Sequence, residues 1–459
     1  MALWKGPSKG KADDPSTYRG LQIGSTLCKI IVILITNRMK EWYENQLTEQ
    51  QQGFRTSRST TDGLFLIKSL QQIAYKTKKI VPTLFIDLTA AFDHINRNWL
   101  FDSIKQRLNN QDEFKLFKLL QDLYKKTTTS IENHNFEISL GVRQGGPESP
   151  LLFNLYLDYV MRAVKDECKK QNIKFTKHSY LIPKPASSNQ SILGKYGNFI
   201  LDWVGFADDI VMMFEDINDL KNTINIINTI FSRFGLTINP SKTKTMLINF
   251  DKEESEYPET IAKMGNLNIE NIKIFKYLGC QIHYKQQKTG DSEINERIDM
   301  AETTFCQHSK KLMNHKVKIV TRTLILNSLV RSRLTYGCQV WLLDKTQIDK
   351  LNSTYTLMLR KMIRGGFRRK PNEWGFIFRN EDLLKICKTK SIEIFVERQR
   401  KRYMGHIIRR SDTAPTKKIL FNNEKNCKIG RPHYYIGSVL GQENINEFVS
   451  KAKRRYYHN

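Results

Sequence analysis

Two adjacent aspartates, Asp208 and Asp209, interrupt the otherwise apolar stretch FADDIVMMF at residues 206–214. Burying two carboxylates in such a segment is strongly unfavourable unless a partner compensates their charge. A divalent cation is a natural partner, because Mg²⁺ is typically held by one or two carboxylates together with substrate phosphates. A third carboxylate, Asp87, ends another apolar run, TLFID. These three aspartates are therefore candidate metal ligands.

The chemistry of such a cluster depends on whether the three carboxylates meet. If the strand ending at Asp87 neighbours a hairpin that turns at residues 208–209, all three lie at one edge of a sheet. That arrangement suits two-metal phosphoryl transfer, in which one ion activates a hydroxyl and the other stabilises the leaving oxygen. The alternative is a solvated turn, which the apolar residues on both sides of the pair disfavour.

The balance of charges indicates a polyanionic partner. The 459 residues include 74 Lys and Arg against 46 Asp and Glu, a formal net charge of +28. This excess is large for an enzyme of small molecules and favours nucleic acid as the partner. An anionic membrane surface is the alternative. The longest apolar run, around residues 30–35, is too short to span a bilayer, so no membrane partner is expected.

The cysteines and the N-terminus predict an intracellular protein. The seven cysteines include no Cys-x-x-Cys pair, which argues against a disulfide framework and for a reducing compartment. Residues 1–20 lack the apolar segment of a signal peptide. This polar, Gly- and Pro-containing stretch is expected to be poorly ordered.

Apolar periodicity predicts strands in the first two thirds of the chain. VPTLFIDL is typical of a short strand, and FILDWVGFADDIVMMF and IKIFKYLGCQIHY are typical of β-hairpins. Each hairpin has two apolar halves joined by a short break. The strand and the first hairpin are the elements that must position the three aspartates.

Helices and one long loop complete the pattern. LCKIIVILITNRMKEWY predicts a buried helix, and Ser59 or Thr60 is expected to cap the next one. Residues 177–198, rich in Pro, Ser and Asn, predict a loop or insertion. Helical patterns dominate beyond about residue 290. The chain is therefore expected to have an α+β catalytic domain followed by helical modules.

Six motifs in order carry a resemblance to a known family: QQGFRTSRSTTD, FIDLTAAFD, GVRQGGPESPLLFNLYLD, FADD, GLTINPSKTK and FKYLGCQI. Together they resemble the reverse transcriptases of non-LTR (LINE-type) retrotransposons, from Ile23 to about residue 440. The resemblance implies a right-hand polymerase with an antiparallel palm sheet. Fingers and palm would occupy residues 21–285, a helical thumb residues 286–370, and a small basic nucleic-acid-binding module residues 371–459.

The resemblance also implies roles for residues at the chemical centre. Asp87, Asp208 and Asp209 would hold two Mg²⁺ ions, with Mn²⁺ as a substitute. Lys242 would neutralise the departing pyrophosphate or donate a proton to it. The alternative is that Lys242 is an ordinary surface lysine without a role in the reaction. Phe92 lies five residues after Asp87, where the family uses an aromatic ring as a steric gate against the 2′-hydroxyl. It would favour dNTPs, unless it is simply a core residue.

Other motif residues would bind nucleotide and primer. Arg55 and Arg58 are candidates for binding the triphosphate, since a guanidinium group suits phosphate oxygens. The alternative is that each is an ordinary solvated arginine of a loop. Gln144 could touch the incoming nucleotide or the template, and Gly145 lets backbone approach a base pair closely. The primer end would be held by Tyr277, Leu278 and Gly279, which otherwise form only a strand turn.

The sequence departs from the family in three places. RQGGPESP replaces the common QGCPLSP, so Glu148 is expected to bring negative charge close to the nucleic-acid path. No endonuclease precedes the motifs, so target cleavage is expected to need an endonuclease in trans. Cys427 and His433 are too sparse to predict a zinc site.

The function predicted from these motifs is RNA-directed DNA polymerisation. Its partners would be an RNA template, a DNA primer or target, and dNTPs, and action in the nucleus is expected from the family. Two alternatives remain open. One is a catalytically inactive relic that binds nucleic acid, and the other is an intron-encoded, maturase-type reverse transcriptase.

Overall fold

The computed structural model describes residues 2–4, 11, 13–14, 18–125, 127–131, 134–182, 195–364, 366–367, 377–422, 448–449 and 451–452. The helices are α1 (Thr26–Gln46), α2 (Thr60–Thr77), α3 (Arg97–Lys105), α4 (Gln111–Lys125), α5 (Ser149–Lys170), α6 (Ile217–Arg233), α7 (Gln286–Gln307), α8 (Ser309–Leu312), α9 (Ile319–Leu326), α10 (Ser332–Leu334), α11 (Lys345–Met362), α12 (Asn380–Ile386), α13 (Ile392–Ile408) and α14 (Pro415–Leu420). The strands are β1 (Ala2–Trp4), β2 (Tyr18–Gly20), β3 (Val81–Ile86), β4 (Thr128–Ile131), β5 (His134–Glu137), β6 (Lys177–Ile182), β7 (Lys195–Ile200), β8 (Trp203–Phe206), β9 (Asp209–Met213), β10 (Lys244–Ile248), β11 (Thr260–Met264), β12 (Leu267–Glu270), β13 (Ile274–Tyr277) and β14 (Cys280–His283).

A four-stranded antiparallel sheet, in the order β10-β3-β9-β8, forms the centre of the fold. Side chains of successive strand residues point to opposite faces. In β3, Leu84 and Ile86 pack into one apolar cluster and Phe85 into another. In β9, Met212 packs into the first of these clusters and Val211 into the second. Because both faces of the sheet are covered, its strands are apolar throughout, as the sequence predicted.

Two helical layers cover the sheet. Helices α1, α3, α4, α5 and α6 contribute to the first apolar cluster, and α2, α13 and α14 contribute to the second together with the β13–β14 hairpin. The predicted strand in VPTLFIDL and both predicted hairpins are confirmed. The observed mixture of helices with antiparallel strands confirms the α+β class.

Helices dominate after His283. Those from α7 to α11 pack around a third apolar cluster, which also takes in Ile392 and Val396 of α13. The far end of α13 differs, because Met404 and Ile407 lie fully buried in the second cluster, beneath the central sheet. Helix α13 is thus built into the cores of the preceding segments, and the predicted basic C-terminal module at residues 371–459 stays a prediction.

The prediction that α1 is a buried helix is wrong for its first half. Leu27, Ile30 and Leu34 are 70%, 50% and 56% exposed. The covered face of α1 runs from Val32 to Tyr43, and the helix packs against α4 and α5. The first half of α1 carries apolar residues on all of its sides. An apolar pattern predicts burial only for the side against which another element packs.

Two further predictions concern irregular segments. The loop predicted at residues 177–198 is wrong at both ends, because β6 and β7 pair in antiparallel register from Lys177↔Ile200 to Ile182↔Lys195. Within the first 20 residues, β1 pairs with β2, and most of the segment lies outside the described residues. Cys427 and His433 also lie outside them. In the described part of the chain, no helix has the length and hydropathy needed to cross a membrane.

Candidate active site

Asp87 and Asp209 leave the central sheet at the same edge. Ile86 of β3 pairs with Ile210 of β9 in antiparallel register, so the next pair in this register would be Asp87 and Asp209. On the other side of β9, Phe206 pairs with Asp209. Residues 207–208 therefore form the two-residue turn of the β8–β9 hairpin, and Asp208 lies within it. The predicted convergence of strand and hairpin is confirmed.

Lys242 approaches Asp87 from the opposite neighbour strand. β10 begins with Lys244 paired to Phe85, and two residues earlier Lys242 places its Nζ 3.4 Å from Oδ2 of Asp87. The Asp87 backbone N–H donates to Oγ1 of Thr243 at 3.3 Å. Because the Lys242 side chain is more than half exposed, this ion pair is weak and easily exchanged for another partner.

A cleft of about 340 Å³ opens at this edge. It is lined by Phe85, Ile86, Asp87, Asp209, Ile210, Ser241, Lys242, Lys244, Phe275, Lys276 and Tyr277. Partial desolvation, followed by repulsion from the Asp208 and Asp87 carboxylates, raises the pKa of Asp209 to about 6. The two other carboxylates therefore disfavour the charged form of Asp209, and lysines line the same cleft.

This edge does not form a complete metal cage in the described residues. They contain no group of three His, Cys, Asp or Glu side chains arranged to hold a metal ion. Asp87 Oδ2 is nevertheless buried without a hydrogen bond from any described residue, and Lys242 is its ion-pair partner. Joint ligation of metal by Asp87, Asp208 and Asp209 stays a prediction.

The hairpin turn that carries Asp208 is held by the segment before α2. Ala207 has a φ of +56°, the left-handed conformation required at the first residue of a tight hairpin turn. Gln51, fully buried, accepts from the Ala207 N–H at 3.0 Å and donates to the Ala207 carbonyl at 3.2 Å. A Cβ on Gly53 would lie only 2.3 Å from the Ala207 nitrogen. The position therefore requires glycine.

Phe92, Gln144 and Gly145 lie in two segments that contact each other. The Val142 N–H donates to the Phe92 carbonyl at 2.9 Å, and the Gln144 amide donates to both carboxylate oxygens of Asp93 at 2.7 Å. The half-buried Phe92 ring stacks on Phe153, with centroids 4.3 Å apart.

Gly145 has a φ of +103° and lies against the backbone of Gln22. That left-handed conformation favours glycine. The structure thus brings the three predicted nucleotide-facing residues Phe92, Gln144 and Gly145 together, while their role in binding nucleotide stays a prediction.

Arg55 and Arg58 both have carboxylate partners. The Arg55 guanidinium is buried, lies 3.0 Å from Glu44, and also donates to backbone carbonyls at the end of α1. Arg58 lies 2.6 Å from Glu49. Among the described residues, the lining of the cleft beside Asp87 includes neither arginine. Of the two, Arg58 is tied by fewer contacts, and triphosphate binding by either stays a prediction.

The predicted primer-grip residues form the turn of the β13–β14 hairpin. Tyr277 ends β13 and lines the cleft, and its hydroxyl is buried without a hydrogen bond from a described residue. Burial, with a contribution from Asp209, raises the pKa of Tyr277. Leu278 and Gly279 have φ values of +45° and +79°. The Tyr336 hydroxyl donates to the Leu278 carbonyl at 3.0 Å, so the turn is held from the helical region that follows.

Glu148, expected to bring negative charge close to the nucleic-acid path, is buried. It is 1% exposed, and Oε1 accepts a hydrogen bond from the Tyr124 hydroxyl at 2.8 Å. Its carboxylate packs against Gly146 and not along an open surface. Its effect on a nucleic-acid path stays a prediction.

Sequence reasoning missed two residues that position the site. Gln51 lies inside the motif QQGF, but no local pattern distinguishes a buried glutamine from a solvated one. Arg297 donates to the Gly279 carbonyl from α7 and pairs with the buried Glu293 at 2.7 Å. The only available signal for this pair was its spacing of four residues on a helix.

The sequence comparison decides the family. A family model described as reverse transcriptase (RNA-dependent DNA polymerase) matches residues 7–282, more than half of the chain. The chain belongs to this family. The reverse transcriptase predicted from the six motifs is therefore confirmed, together with the polymerase fold that it implied.

Curated relatives come from mobile elements. The chain is 23% identical over 286 residues to a retrovirus-related Pol polyprotein from type-1 retrotransposable element R2 of Nasonia vitripennis, covering 60% of this chain and 25% of the relative. It is 24% identical over 344 residues to a probable RNA-directed DNA polymerase from transposon X-element of Drosophila melanogaster, covering 72% and 33%. The chain spans a quarter to a third of these relatives.

Among solved structures, the chain is similar to telomerase from Candida albicans in complex with a fragment of telomeric RNA. The TM-score is 0.42 at 10% identity, over 79% of this chain and 58% of that one.

Proposed function

We propose that this chain is an RNA-directed DNA polymerase that extends a primer 3′-hydroxyl with dNTPs on an RNA template. One observation carries the proposal: Asp87 and Asp209 lie opposite each other at one sheet edge, with Asp208 in the adjoining turn and Lys242 beside Asp87. Clustered carboxylates with an adjacent lysine suit attack of a hydroxyl on the α-phosphate and departure of pyrophosphate.

The donors at the edge fit a hard divalent cation. Asp87 Oδ2 has an unused acceptor position, and the raised pKa of Asp209 reflects burial first and then repulsion from the Asp208 and Asp87 carboxylates, which a cation would relieve. Mg²⁺, or Mn²⁺ in its place, takes carboxylate and phosphate oxygens of this kind. Asp87, Asp208 and Asp209 would hold it. When bound, the cation would activate the primer hydroxyl and stabilise charge on the phosphates.

Other residues bind and select the nucleotide in this proposal. Lys242, exposed at the cleft, neutralises the departing pyrophosphate or donates a proton to it. Phe92 blocks the 2′-hydroxyl, and its stack on Phe153 gives the ring a rigid backing. Arg58 reaches the triphosphate by exchanging its partner Glu49, whose side chain is 32% exposed.

Nucleic acid is the partner that the charge supports. The net charge of +28 favours binding to the phosphate backbones of an RNA template and a DNA primer, and this binding should weaken as salt is raised. Because family membership concerns polymerisation on nucleic acid, we further propose that the protein acts in the nucleus.

A primer-extension assay tests the function. The full chain is incubated with an RNA template, an annealed DNA primer, dNTPs and Mg²⁺, and extension is compared with that of Asp208→Asn. Loss of one catalytic carboxylate should lower the rate at least about a hundredfold. The matched control Asp112→Asn, on the exposed first turn of α4, should match the wild type.

The outcome separates the proposed enzyme from its alternatives. Wild-type extension no faster than that of Asp208→Asn, with RNA binding retained, would show a non-catalytic nucleic-acid-binding protein. An effect of the chain on splicing of its own transcript would indicate the maturase-type alternative.

A further inference from the structure

Asp62, in the first turn of α2, is bound by residues from the far end of the chain. It is 1% exposed, and Oδ2 accepts from the Ser59 backbone N–H at 2.7 Å, which fixes the start of the helix. Oδ1 lies 2.8 Å from the Tyr403 hydroxyl and 2.9 Å from Nη1 of Arg410. More than 340 residues separate these partners in sequence. A buried carboxylate needs such partners to remain charged.

The loop that leads into α2 is bound by the same segment. We call residues 53–59 the fingers loop. Nη2 of Arg410 donates to the Ser57 carbonyl at 2.7 Å, and Nε2 of His406 lies 3.1 Å from the same oxygen. Ser57 and Phe54 both have positive φ values, +58° and +55°. Non-glycine residues keep this conformation only where surrounding contacts enforce it.

The binding residues stand on a rigid support. Met404 and Ile407, on the same turns of α13, are fully buried in the apolar cluster beneath the sheet. The Tyr403 ring meets Phe65 of α2 edge to face, with centroids 5.7 Å apart. Tyr403 and His406 therefore lie on an anchored helix, and Arg410 follows two residues after its end.

The other end of the fingers loop touches the candidate active site. Gly53 lies directly against Ala207, next to Asp208, and Gln51 bonds to the same turn. The loop thus runs from the turn that carries Asp208 to the C-terminal contact at Ser57. Arg58, a predicted triphosphate ligand, lies within it.

We propose that Tyr403, His406 and Arg410 are positioning residues that hold the fingers loop in the conformation required for nucleotide binding. The C-terminal segment would then serve the polymerase directly, in addition to any contact with nucleic acid. The kinetic part of this proposal rests on the proposed polymerase function. Its structural part, that these residues order the fingers loop, does not.

Two variants test the contact with little disturbance of packing. Tyr403→Phe removes only the hydroxyl that binds Asp62 and keeps the ring against Phe65. Arg410→Gln removes the charge that faces Asp62 and the donor to Ser57. Arg410→Lys is the conservative variant, because an ammonium can serve one acceptor well but lacks the fork that serves both. Lys118→Gln, on the exposed face of α4, removes one positive charge as a matched control.

Hydrogen exchange on the full chain measures loop order without requiring activity. Peptides covering residues 53–62 should exchange about tenfold faster in Tyr403→Phe and Arg410→Gln than in the wild type, with Arg410→Lys between them. Peptides from α4 should not change, and Lys118→Gln should match the wild type throughout. Unchanged exchange at residues 53–62 in both loss variants would overturn the proposal.

Steady-state primer extension gives the second measurement. A positioning role predicts a KM for dNTP about tenfold higher in Arg410→Gln, with kcat within about twofold of the wild type and partial rescue in Arg410→Lys. An unchanged KM with a kcat that falls in step with thermal stability would refute the kinetic part. A wild-type chain that fails to polymerise would refute the proposed function, and hydrogen exchange alone would then decide the loop contact.

Discussion

The carboxamide of Gln51 bonds to both backbone polar groups of Ala207, accepting from its N–H at 3.0 Å and donating to its carbonyl at 3.2 Å. The same Oε1 accepts from the Gly53 N–H at 2.9 Å. One buried side chain thereby fixes the left-handed residue that precedes Asp208. The position of a carboxylate in a short turn depends on the conformation of that turn. Gln51 therefore connects the first motif to the sheet edge that carries the three aspartates.

Gln51→Glu should impair polymerisation. The substitution preserves shape, but a carboxylate cannot donate to the Ala207 carbonyl, and it leaves a buried charge close to three aspartates. We expect primer extension to fall at least about tenfold, with a loss of stability of about 1–3 kcal/mol. Urea denaturation and extension rates would measure the two effects.

The same exchange at an exposed site provides the control. Gln111→Glu, in the first turn of α4, introduces the same charge where solvent is available. It should leave both measurements near wild type. Equal effects at positions 51 and 111 would show that the Gln51 bonds to the turn are unimportant.

The sequence was sufficient to predict the strand-and-hairpin arrangement of the site. The apolar runs before Asp87 and around Asp208 are long enough to cover both faces of a strand, and a break of two residues allows only a tight hairpin. Antiparallel pairing of these strands then places Asp87 and Asp209 at the same edge of the sheet. Local patterns determine such features, so they can be inferred without coordinates.

Pairings between distant segments could not be predicted in this way. Arg55 was expected to face phosphate, yet in the structure it is buried against Glu44, because the loop folds back on the end of α1. Nothing near Asp62 in sequence indicates Arg410 as its partner. The basic C-terminal segment suggested only nucleic acid, since charge counts do not reveal which cations are buried inside the protein.

Asp209 should make stability depend on pH in the absence of divalent cations. Its folded-state pKa, about 6, lies above the ordinary value of 3.8. The folded chain therefore binds the proton more tightly than the unfolded chain, and this contribution to stability is full below pH 4 and is lost as pH rises through about 6. In EDTA, Asp209→Asn should gain Tm relative to wild type between about pH 4 and 7, with no further gain above.

Mg²⁺ should reverse that difference. The cation binds the ionised carboxylate, so it should raise the wild-type Tm at pH 7.5 more than at pH 5, and should do little for Asp209→Asn. Thermal denaturation at the two pH values, with and without Mg²⁺, measures this. Equal Mg²⁺ shifts in wild type and Asp209→Asn would show that Asp209 is not a ligand.

Phe92→Val should relax the choice of sugar. The smaller side chain leaves space where the 2′-hydroxyl would lie, and we expect the ratio of kcat/KM for a ribonucleotide over its deoxynucleotide to rise at least about tenfold. Loss of the stack on Phe153 should lower stability by about 1–3 kcal/mol.

Incorporation of matched rGTP and dGTP in primer extension gives the ratio. Phe114→Val, at an exposed ring on α4, serves as the control and should change neither quantity. An unaltered ratio in an active Phe92→Val enzyme would leave Phe92 as a core residue only.

Arg297 and Glu293 should show strong energetic coupling, because they form a buried ion pair within α7, beside the turn of the β13–β14 hairpin. Their side chains are 3% and 1% exposed and 2.7 Å apart, and Glu293 also accepts from the Gln281 N–H. Arg297→Met leaves the Glu293 carboxylate without its closest cation and should cost about 3–5 kcal/mol. The double variant with Glu293→Gln should lose about 1–3 kcal/mol less than the sum of the single losses.

Urea denaturation of the four proteins in this cycle measures the coupling. The control is Lys276→Met, which breaks the ion pair between Lys276 of β13 and Glu296 of α7. Lys276 is more than half exposed. That control should therefore cost no more than about 1 kcal/mol. Because Arg297 also donates to the Gly279 carbonyl, Arg297→Met should shorten the products of single-encounter primer extension. Additive losses with unchanged product length would mean that the ion pair does not hold the turn.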